Sequence, residues 1–543
     1  MNAASPGRVV LIASGAYVEP ELEVEFGRIP PSFLPLGNRR LFVHQCEAIR
    51  SVADRILLSL PEDFEVDATD RDLLDSLNVE TVLVPTGLSL GNSIVTVMNL
   101  TAATSGSSFS ILHGDTLLWG LDLTQLDAVS VGNSADPGYV WGFAIQKDGR
   151  IVSMSEKPDP DAAPAAVLSG WFAFSNPTRL VQCIARHAGN FLLGLADYAA
   201  MQPLQSLTAQ EWFDFGHAGT FHRSKRRVST ARQFNHLVSE RRSILKSSTK
   251  PQKIEAEANW FESLPAEMRL FTPAYLGRRR DDTVSYAVEY LNHPTLSDLF
   301  VFGRLSRQAW DRIFLACDEF LSACASYPAP DPEQTAESVR ALYLDKTLAR
   351  LEEFARAQSL SLSEPCRLNG AWLPSLERIA IMVAQSIPEA TGKHLTLVHG
   401  DFCFSNILYD YRADTVRVID PRGLDASGNI SIYGDIRYDV GKLHHSAVGK
   451  YDYIIAKYFD LKRSNPLEFS FTLPRNNILQ GVEDSFHGMT FAGQSPRSVT
   501  PAISVLLFLS MLPLHSDDPK RQMALLANSM RLFLELDHCS LLA

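Results

Sequence analysis

Cysteine is scarce and scattered: seven residues in 543, with no CxxC pair and no His/Cys cluster at zinc-ligand spacing. That argues against a disulfide framework and for reduced thiols in a cytoplasmic protein. Long apolar runs are lacking as well. Val9–Ala13 is too brief for a secretory signal or a membrane span, and the longest later run, Ile503–Leu514, falls short of the roughly 20 residues that cross a bilayer. A soluble protein is therefore expected, with Ile503–Leu514 as a buried helix. Basic stretches are few. The only short clusters are Arg223–Arg227 and Arg278–Arg280, set against a formal net charge of -12, so nucleic acid is not an expected partner.

What the sequence has is the composition of an ordinary globular protein, 45% hydrophobic and 21% charged, in a chain longer than a single core usually grows. Two or three domains are expected. Val9-Val-Leu-Ile-Ala13 is a continuous apolar run ending at Ser14-Gly15, the pattern of a buried parallel strand. Arg55–Ser59, Val79–Val84 and Phe109–His113 read the same way, with helical spacing between them at Leu41–Val52 and Ser93–Thr101. This alternation predicts an α/β domain, Rossmann-like, with a parallel, doubly wound sheet over residues 1–225. Phe221–Arg232 has basic and small polar residues and no apolar period, which places a domain boundary there.

From about residue 233 the pattern changes. A strand-like Ser243–Lys246, a charged helix through Trp260 and an extended Val284–Tyr290 predict a small mixed lobe to about residue 295. Residues 296–543 read as a larger helical lobe enclosing one compact strand pair. The second domain, 233–543, is thus expected to be a two-lobed α+β fold.

The most specific chemistry lies at His399-Gly-Asp401-Phe-Cys-Phe-Ser-Asn406, followed by a strand, a turn and Val416-Arg-Val-Ile-Asp420. Phosphoryl transfer needs a carboxylate at the attacking hydroxyl and oxygen ligands for a magnesium ion on the ATP phosphates. Asp401 fits the first role, Asn406 and Asp420 the second, with His399 bracing the loop. A second HGD triplet, His113–Asp115, lacks the following Asn. The full spacing resembles that of the aminoglycoside phosphotransferase and choline kinase family, a group of protein-kinase-like fold. The resemblance implies an ATP-binding Lys246 on a strand, a partner glutamate on the next helix (Glu257 in preference to Glu255), and Asp439 in a structural role beneath the site. No glycine-rich loop precedes Lys246; Phe234–Ser239 stands in its place. His444 and His445 are adjacent on a predicted helix and point apart, so a joint metal site is not expected and one of them is expected to be buried.

The first 225 residues resemble the sugar-phosphate nucleotidyltransferase family. The landmarks fall in order: Pro31–Leu41 after a phosphate loop, Leu90-Gly-Asn-Ser93 at a base-contacting turn, His113-Gly-Asp115, Glu156-Lys157-Pro158, and Trp212-Phe-Asp214-Phe-Gly216. The resemblance implies nucleotide contacts at Gly15 and Gly91, a catalytic Lys157 on the sugar phosphate, and magnesium shared by Asp115 and Asp214. The chain departs from the family at Ser14–Pro20, where a glycine-rich loop with an arginine is usual, and at Ser32, where a lysine is usual. Arg28, Arg39 and Arg40 are the candidate replacements.

Together the two resemblances imply a bifunctional enzyme. One half phosphorylates a sugar, polyol or amino alcohol with ATP, and the other converts the phosphate with a second NTP into a nucleoside-diphosphate-activated precursor of surface polysaccharide. The alternatives are an active kinase joined to a degenerate nucleotide-binding domain, and a noncatalytic scaffold, which the intact Asp401, Asn406 and Asp420 oppose. A choline-like acceptor would need an aromatic or acidic cage, and Trp310, Tyr343 and Trp372 are scattered in sequence.

Overall fold

The computed structural model describes residues 7–103, 108–132, 142–157, 166–232, 237–239, 242–248, 250–280 and 284–537. The chain divides into two units, Met1–Val228 and Ser229–Ala543.

In the first unit the strands are β1 (Val9–Ala13), β2 (Arg55–Pro61), β3 (Val79–Val84), β4 (Phe109–His113), β5 (Thr116–Trp119), β6 (Ala128–Gly132), β7 (Phe143–Lys147), β8 (Arg150–Ser155), β9 (Ala166–Phe174), β10 (Gln205–Thr208) and β11 (Glu211–Asp214). β3, β2, β1 and β4 pair in parallel in that order, with Leu11 opposite both Leu57 and Ile111. Helices Leu41–Ile49, Ala68–Ser76 and Leu90–Leu100 connect them. Leu11, Leu57, Ile94, Val97, Phe109 and Phe172 are buried together in one core. Each large apolar side chain so buried contributes about 1.5–3 kcal/mol.

The sheet is mixed rather than wholly parallel. Beyond β4 it continues through β9, which is antiparallel to both β4 and β6, and on to β10, β8 and β7. Turn length accounts for one of the antiparallel pairs. β7 and β8 are joined by Asp148-Gly149, both at positive φ (52° and 73°), a two-residue hairpin turn that allows only antiparallel pairing. β5 and β11 form a separate two-stranded ribbon.

Phe221–Arg232, without an apolar period, is nonetheless helical, within Ala218–Arg232. Phe221 packs edge-on against Phe26, and His222 Nε2 lies 3.0 Å from a Glu25 carboxylate oxygen. A few such contacts hold the helix in place of a broad apolar face. Another buried polar anchor is Arg40, which meets Asp70 at 2.8–3.1 Å and donates to the Phe33 carbonyl at 2.8 Å.

In the second unit, β12 (Leu237–Ser239), β13 (Ser243–Ser247), β14 (Tyr275–Arg280) and β15 (Val284–Glu289) form an antiparallel sheet in the order β12-β13-β15-β14. Helix Pro251–Ser263 lies against it, with the Phe261 ring meeting Tyr275 and Tyr286. The helices that follow include Arg307–Ala325, Asp345–Gln358, Ile436–Ala447, Thr500–Ser510 and Pro519–Asp537. Thr500–Ser510, the start of the long apolar run, is almost wholly buried, and among the described residues no helix is long and apolar enough to cross a membrane.

More than one strand pair accompanies these helices, contrary to the sequence expectation. Besides the hairpin Ile407–Asp410 and Thr415–Val418, strands Pro365–Leu368, Ala371–Ser375, Asp460–Asn465 and Glu468–Thr472 make a four-stranded sheet. Leu395–Leu397 pairs with Tyr433–Asp435. Asn369-Gly370, at φ 49° and 90°, turns the first hairpin of that sheet, and these strands are short enough to hide inside a helical reading. His444 and His445 are both buried, where one was expected to be.

Replacing Arg40 by Met would remove the guanidinium that the buried Asp70 carboxylate binds. The expected loss is about 3–5 kcal/mol in the stability of the first unit, read from urea unfolding.

Candidate active site

The carboxy-terminal site is built on a turn. Gly400 has φ 78°, a conformation that favours glycine, and a Cβ there would stand 2.8 Å from Arg422 Cβ. The amides of His399 and Gly400 donate to the two oxygens of Asp439 at 2.7 and 2.9 Å. His399 accepts at Nδ1 from the Asp401 amide (3.3 Å), so Nε2 carries the proton and donates to the Ile419 carbonyl (3.0 Å). That bond ties the loop of Asp401 to the end of the strand that leads to Asp420. Burial pushes the His399 imidazole down to about 4, which keeps it neutral and in a bracing role.

Asp401 accepts from Lys442 Nζ at 2.8 Å and from Asn406 Nδ2 at 3.0 Å. Burial pulls its carboxyl upward, but the charges of Lys442 and Arg422 outweigh that and hold it well below the ordinary carboxylate range. Asn406 Nδ2 also donates to the Asp401 carbonyl at 2.9 Å, so the amide end is fully used and Oδ1 is the end left to face a ligand. Asp420, at φ 59°, binds Lys246 Nζ through one oxygen at 2.8 Å. Lys246 also meets the buried Glu257 at 2.6 Å, and the same Glu257 oxygen accepts from Tyr286 at 2.7 Å. Burial works against the Lys246 ammonium, yet Asp420 and Glu257 more than offset it and raise its pKa. Glu257 therefore positions Lys246 from beneath.

Asp401, Asn406 and Asp420 line one cleft of about 370 Å³. The oxygen donors Asn406 Oδ1 and Asp420 suit a hard divalent cation that completes its shell with phosphate and water oxygens. Sequence reasoning missed Lys442, Lys346, Arg350 and Arg422, which line the same cleft. Lys442 alone had a legible signal, standing three residues after Asp439 on one helix face.

In the first unit Asp115 and Asp214 come together at the ends of β4 and β11. The Phe215 amide donates to the Asp115 carbonyl at 2.8 Å, and a Cβ on Gly216 would stand 2.7 Å from Asp115 Oδ2 and 3.4 Å from Asp214 Oδ1. Asp214 Oδ2 is buried without a hydrogen-bond partner. Burial, and then the neighbouring charge of Asp115, push the Asp214 carboxyl up to about 7. Two converging carboxylates with an orphaned oxygen fit a divalent cation. Among the described residues no cluster of three or more His, Cys, Asp or Glu stands ready for a metal, so each site would draw on its substrate for ligands. The missed residue here is Gln45, buried, whose Nε2 donates to the carbonyls of His113, Gly114 and Thr116 at 2.9–3.1 Å and fixes the Asp115 turn.

The other predicted residues of this unit are placed differently. Gly15 follows β1 against Val84 and Ser93. Leu90–Ser93 is the first turn of a helix capped by Ser89 and not a free turn, and Gly91 packs against the Gly189 carbonyl. Lys157 is exposed beyond β8, and no hydrogen bond or ion pair joins it to Asp115 or Asp214; Pro158 lies outside the described residues, as do 234–236 of the segment before Lys246. Arg28 pairs with Asp63 (2.9 Å), Arg39 with Glu47 (2.8 Å) and Arg40 with Asp70, while Ser32 is fully buried. Tyr343 is buried and bonds Asp435 at 3.0 Å, Trp310 is core, and Trp372 is 68% exposed, so the three form no cage.

Residues 229–452 match a family model described as the phosphotransferase enzyme family. The matched stretch contains Lys246, Glu257, Asp401, Asn406, Asp420, Asp439 and Lys442. A search of curated proteins finds no match. Among solved structures, the chain is similar to a UDP-glucose pyrophosphorylase complexed with UDP-glucose, at 15% identity and TM-score 0.33, over 42% of this chain and 100% of that one. It is similar to the inositol-1-phosphate CTP transferase from T. maritima at 14% identity and TM-score 0.33, over 42% and 97% of the two chains. A UTP-bound UGPase from Acinetobacter baumannii gives 16% identity and TM-score 0.33, over 42% and 95%.

His399 takes up its proton near 6.5 in the unfolded chain and near 4 in the fold. Unfolding therefore binds a proton between those values. The stability tied to the neutral ring, about 3 kcal/mol, is present above pH 6.5 and lost as pH falls toward 4. Urea midpoints measured across that window should fall less steeply in His399→Phe than in the parent.

Proposed function

We propose that the carboxy-terminal unit transfers the γ-phosphoryl group of ATP to a hydroxyl of a small acceptor. The amino-terminal unit then joins a nucleotidyl group from a second NTP to that phosphate, giving a nucleoside-diphosphate-activated precursor for surface polysaccharide. The observation that carries the reading is the convergence of Asp401, Asn406 and Asp420 on one cleft, with Lys246 bonded to Asp420.

Asp401 orients the acceptor hydroxyl and takes its proton. A carboxylate held so acidic is a weak base, which suits a loose phosphoryl transition state in which the hydroxyl proton leaves late. Lys246 binds ATP phosphates, Glu257 positions it, and Asp439 fixes the turn that carries Asp401. Magnesium would be held by Asn406 and Asp420, and there it supplies charge neutralisation on the phosphates. In the first unit Asp115 and Asp214 would hold a magnesium ion, and Lys157 would contact the acceptor phosphate.

A specific observation favours a second reading for that unit. Arg28, Arg39 and Arg40 are each spent on an acid, and Ser32 is buried, so the usual cationic contacts to a triphosphate are gone. On that reading the unit binds nucleotide or product without turning it over.

The test is a pair of variants in the full chain, assayed for ADP formation and for pyrophosphate release. Asp401→Ala should lower ATP-dependent phosphorylation by about 10²–10⁴-fold and leave pyrophosphate release from a supplied phospho-acceptor intact. Asp115→Ala should do the reverse. Loss of both activities in either variant contradicts independent sites, and absence of pyrophosphate release with every NTP selects the binding-only reading.

A further inference from the structure

The cleft that Asp401 lines is strongly basic. Lys346 and Arg350 come from helix Asp345–Gln358, Arg422 from the loop after Asp420, and Lys442 from helix Ile436–Ala447. Lys442 is paired with Asp401; Arg422 donates to the Tyr438 hydroxyl at 2.6 Å and feels Asp401 and Asp439, Arg350 donates to the Ser510 carbonyl at 3.0 Å, and among the described residues Lys346 enters no ion pair. A smaller cavity shares Lys346, Arg350, Tyr438 and Ser510 with that cleft, and Lys246, Asp420 and Asn406 do not line it.

Like charges gathered in a half-buried cleft repel one another and lose hydration, an arrangement that an anion relieves. The Lys346 ammonium registers the strain: burial, reinforced by Arg422, Arg350 and Lys442, pushes it down to about 7. Among the described residues the acids lining the cleft are Asp401 and Asp420, and both already bind lysines. A cationic acceptor would meet this wall as a like charge.

We infer that the phosphoryl acceptor is itself an anion, a hydroxylated compound bearing a carboxylate or phosphate group that Lys346, Arg350 and Arg422 bind while Asp401 orients its hydroxyl. This rests on the phosphotransferase reading of the site and narrows its acceptor class. The same cations also make chemical sense of the encounter, because an anionic acceptor must approach a negatively charged ATP.

The experiment is calorimetry on the full chain saturated with magnesium and a non-hydrolysable ATP analogue, titrated with inorganic phosphate, with glycerate and with glycerol. Phosphate and glycerate are expected to bind and glycerol is not. Lys346→Met, which keeps the packing of the stem, and Arg350→Gln should each weaken glycerate by at least about tenfold without changing the affinity for the nucleotide analogue. Glycerol binding as tightly as glycerate, no anion binding at all, or anion affinity unchanged in both variants overturns the inference. Failure of the nucleotide analogue to bind would instead count against the phosphotransferase reading beneath it.

Discussion

The carboxy-terminal unit depends on one buried carboxylate, that of Asp439, which receives the amides of His399 and Gly400. Burying an acid without donors is costly, so the two amides stabilise Asp439 as much as Asp439 fixes them. From that turn the rest follows by direct bonds. His399 spans from the Asp401 amide to the Ile419 carbonyl, while the Trp260 indole donates to the Val398 carbonyl at 2.8 Å. Trp260 shares its helix with Glu257, and Glu257 holds Lys246. The sheet that carries Lys246 and the loop that carries Asp401 are thereby referenced to the same strand end. Gly400 is the one residue type that fits, since its backbone is left-handed and Arg422 occupies the space a side chain would need.

The two units answer the same Coulomb problem in opposite ways. Asp401 sits among cations of the chain, above all Lys442, and is held ionised whether or not a substrate is present. Asp214 has Asp115 beside it and an orphaned oxygen, and is pushed toward its neutral form. The first is a carboxylate that the chain itself holds charged. The second is a pair whose full ionisation an external cation would favour.

What the sequence made legible was local. The spacing from His399 to Asp420 sits on one loop and one hairpin, and the buried parallel strands announce themselves as continuous apolar runs. Apart from Lys442, which stands three residues after Asp439 on one helix, the basic wall was not legible, because Lys346, Arg350 and Arg422 come from segments that only tertiary packing brings together, and a lone lysine or arginine on a helix ordinarily faces solvent. Two misreadings had local signals that went unused: Asp148-Gly149 marks the hairpin that makes the first sheet mixed, and Asn369-Gly370 marks one inside the helical lobe. Helix Ala218–Arg232 had none, since its anchoring is through a ring contact at Phe221 and an ion pair at His222 rather than an apolar stripe.

Charge supply also separates the demands on the two units. A nucleoside triphosphate brings several negative charges, and the carboxy-terminal unit has Lys253 in its cleft and Lys246 bonded to Asp420 at the cleft's edge, besides the cations around Asp401. The first unit has committed its candidate arginines to Asp63, Glu47 and Asp70, and the helix after its first loop carries Glu21 and Glu23 in its opening turn. Any triphosphate held there must be neutralised chiefly by a metal on Asp115 and Asp214 and by lysine. Its catalysis would then be more sensitive to divalent cation concentration than that of the kinase unit, because it has fewer charges of its own to substitute.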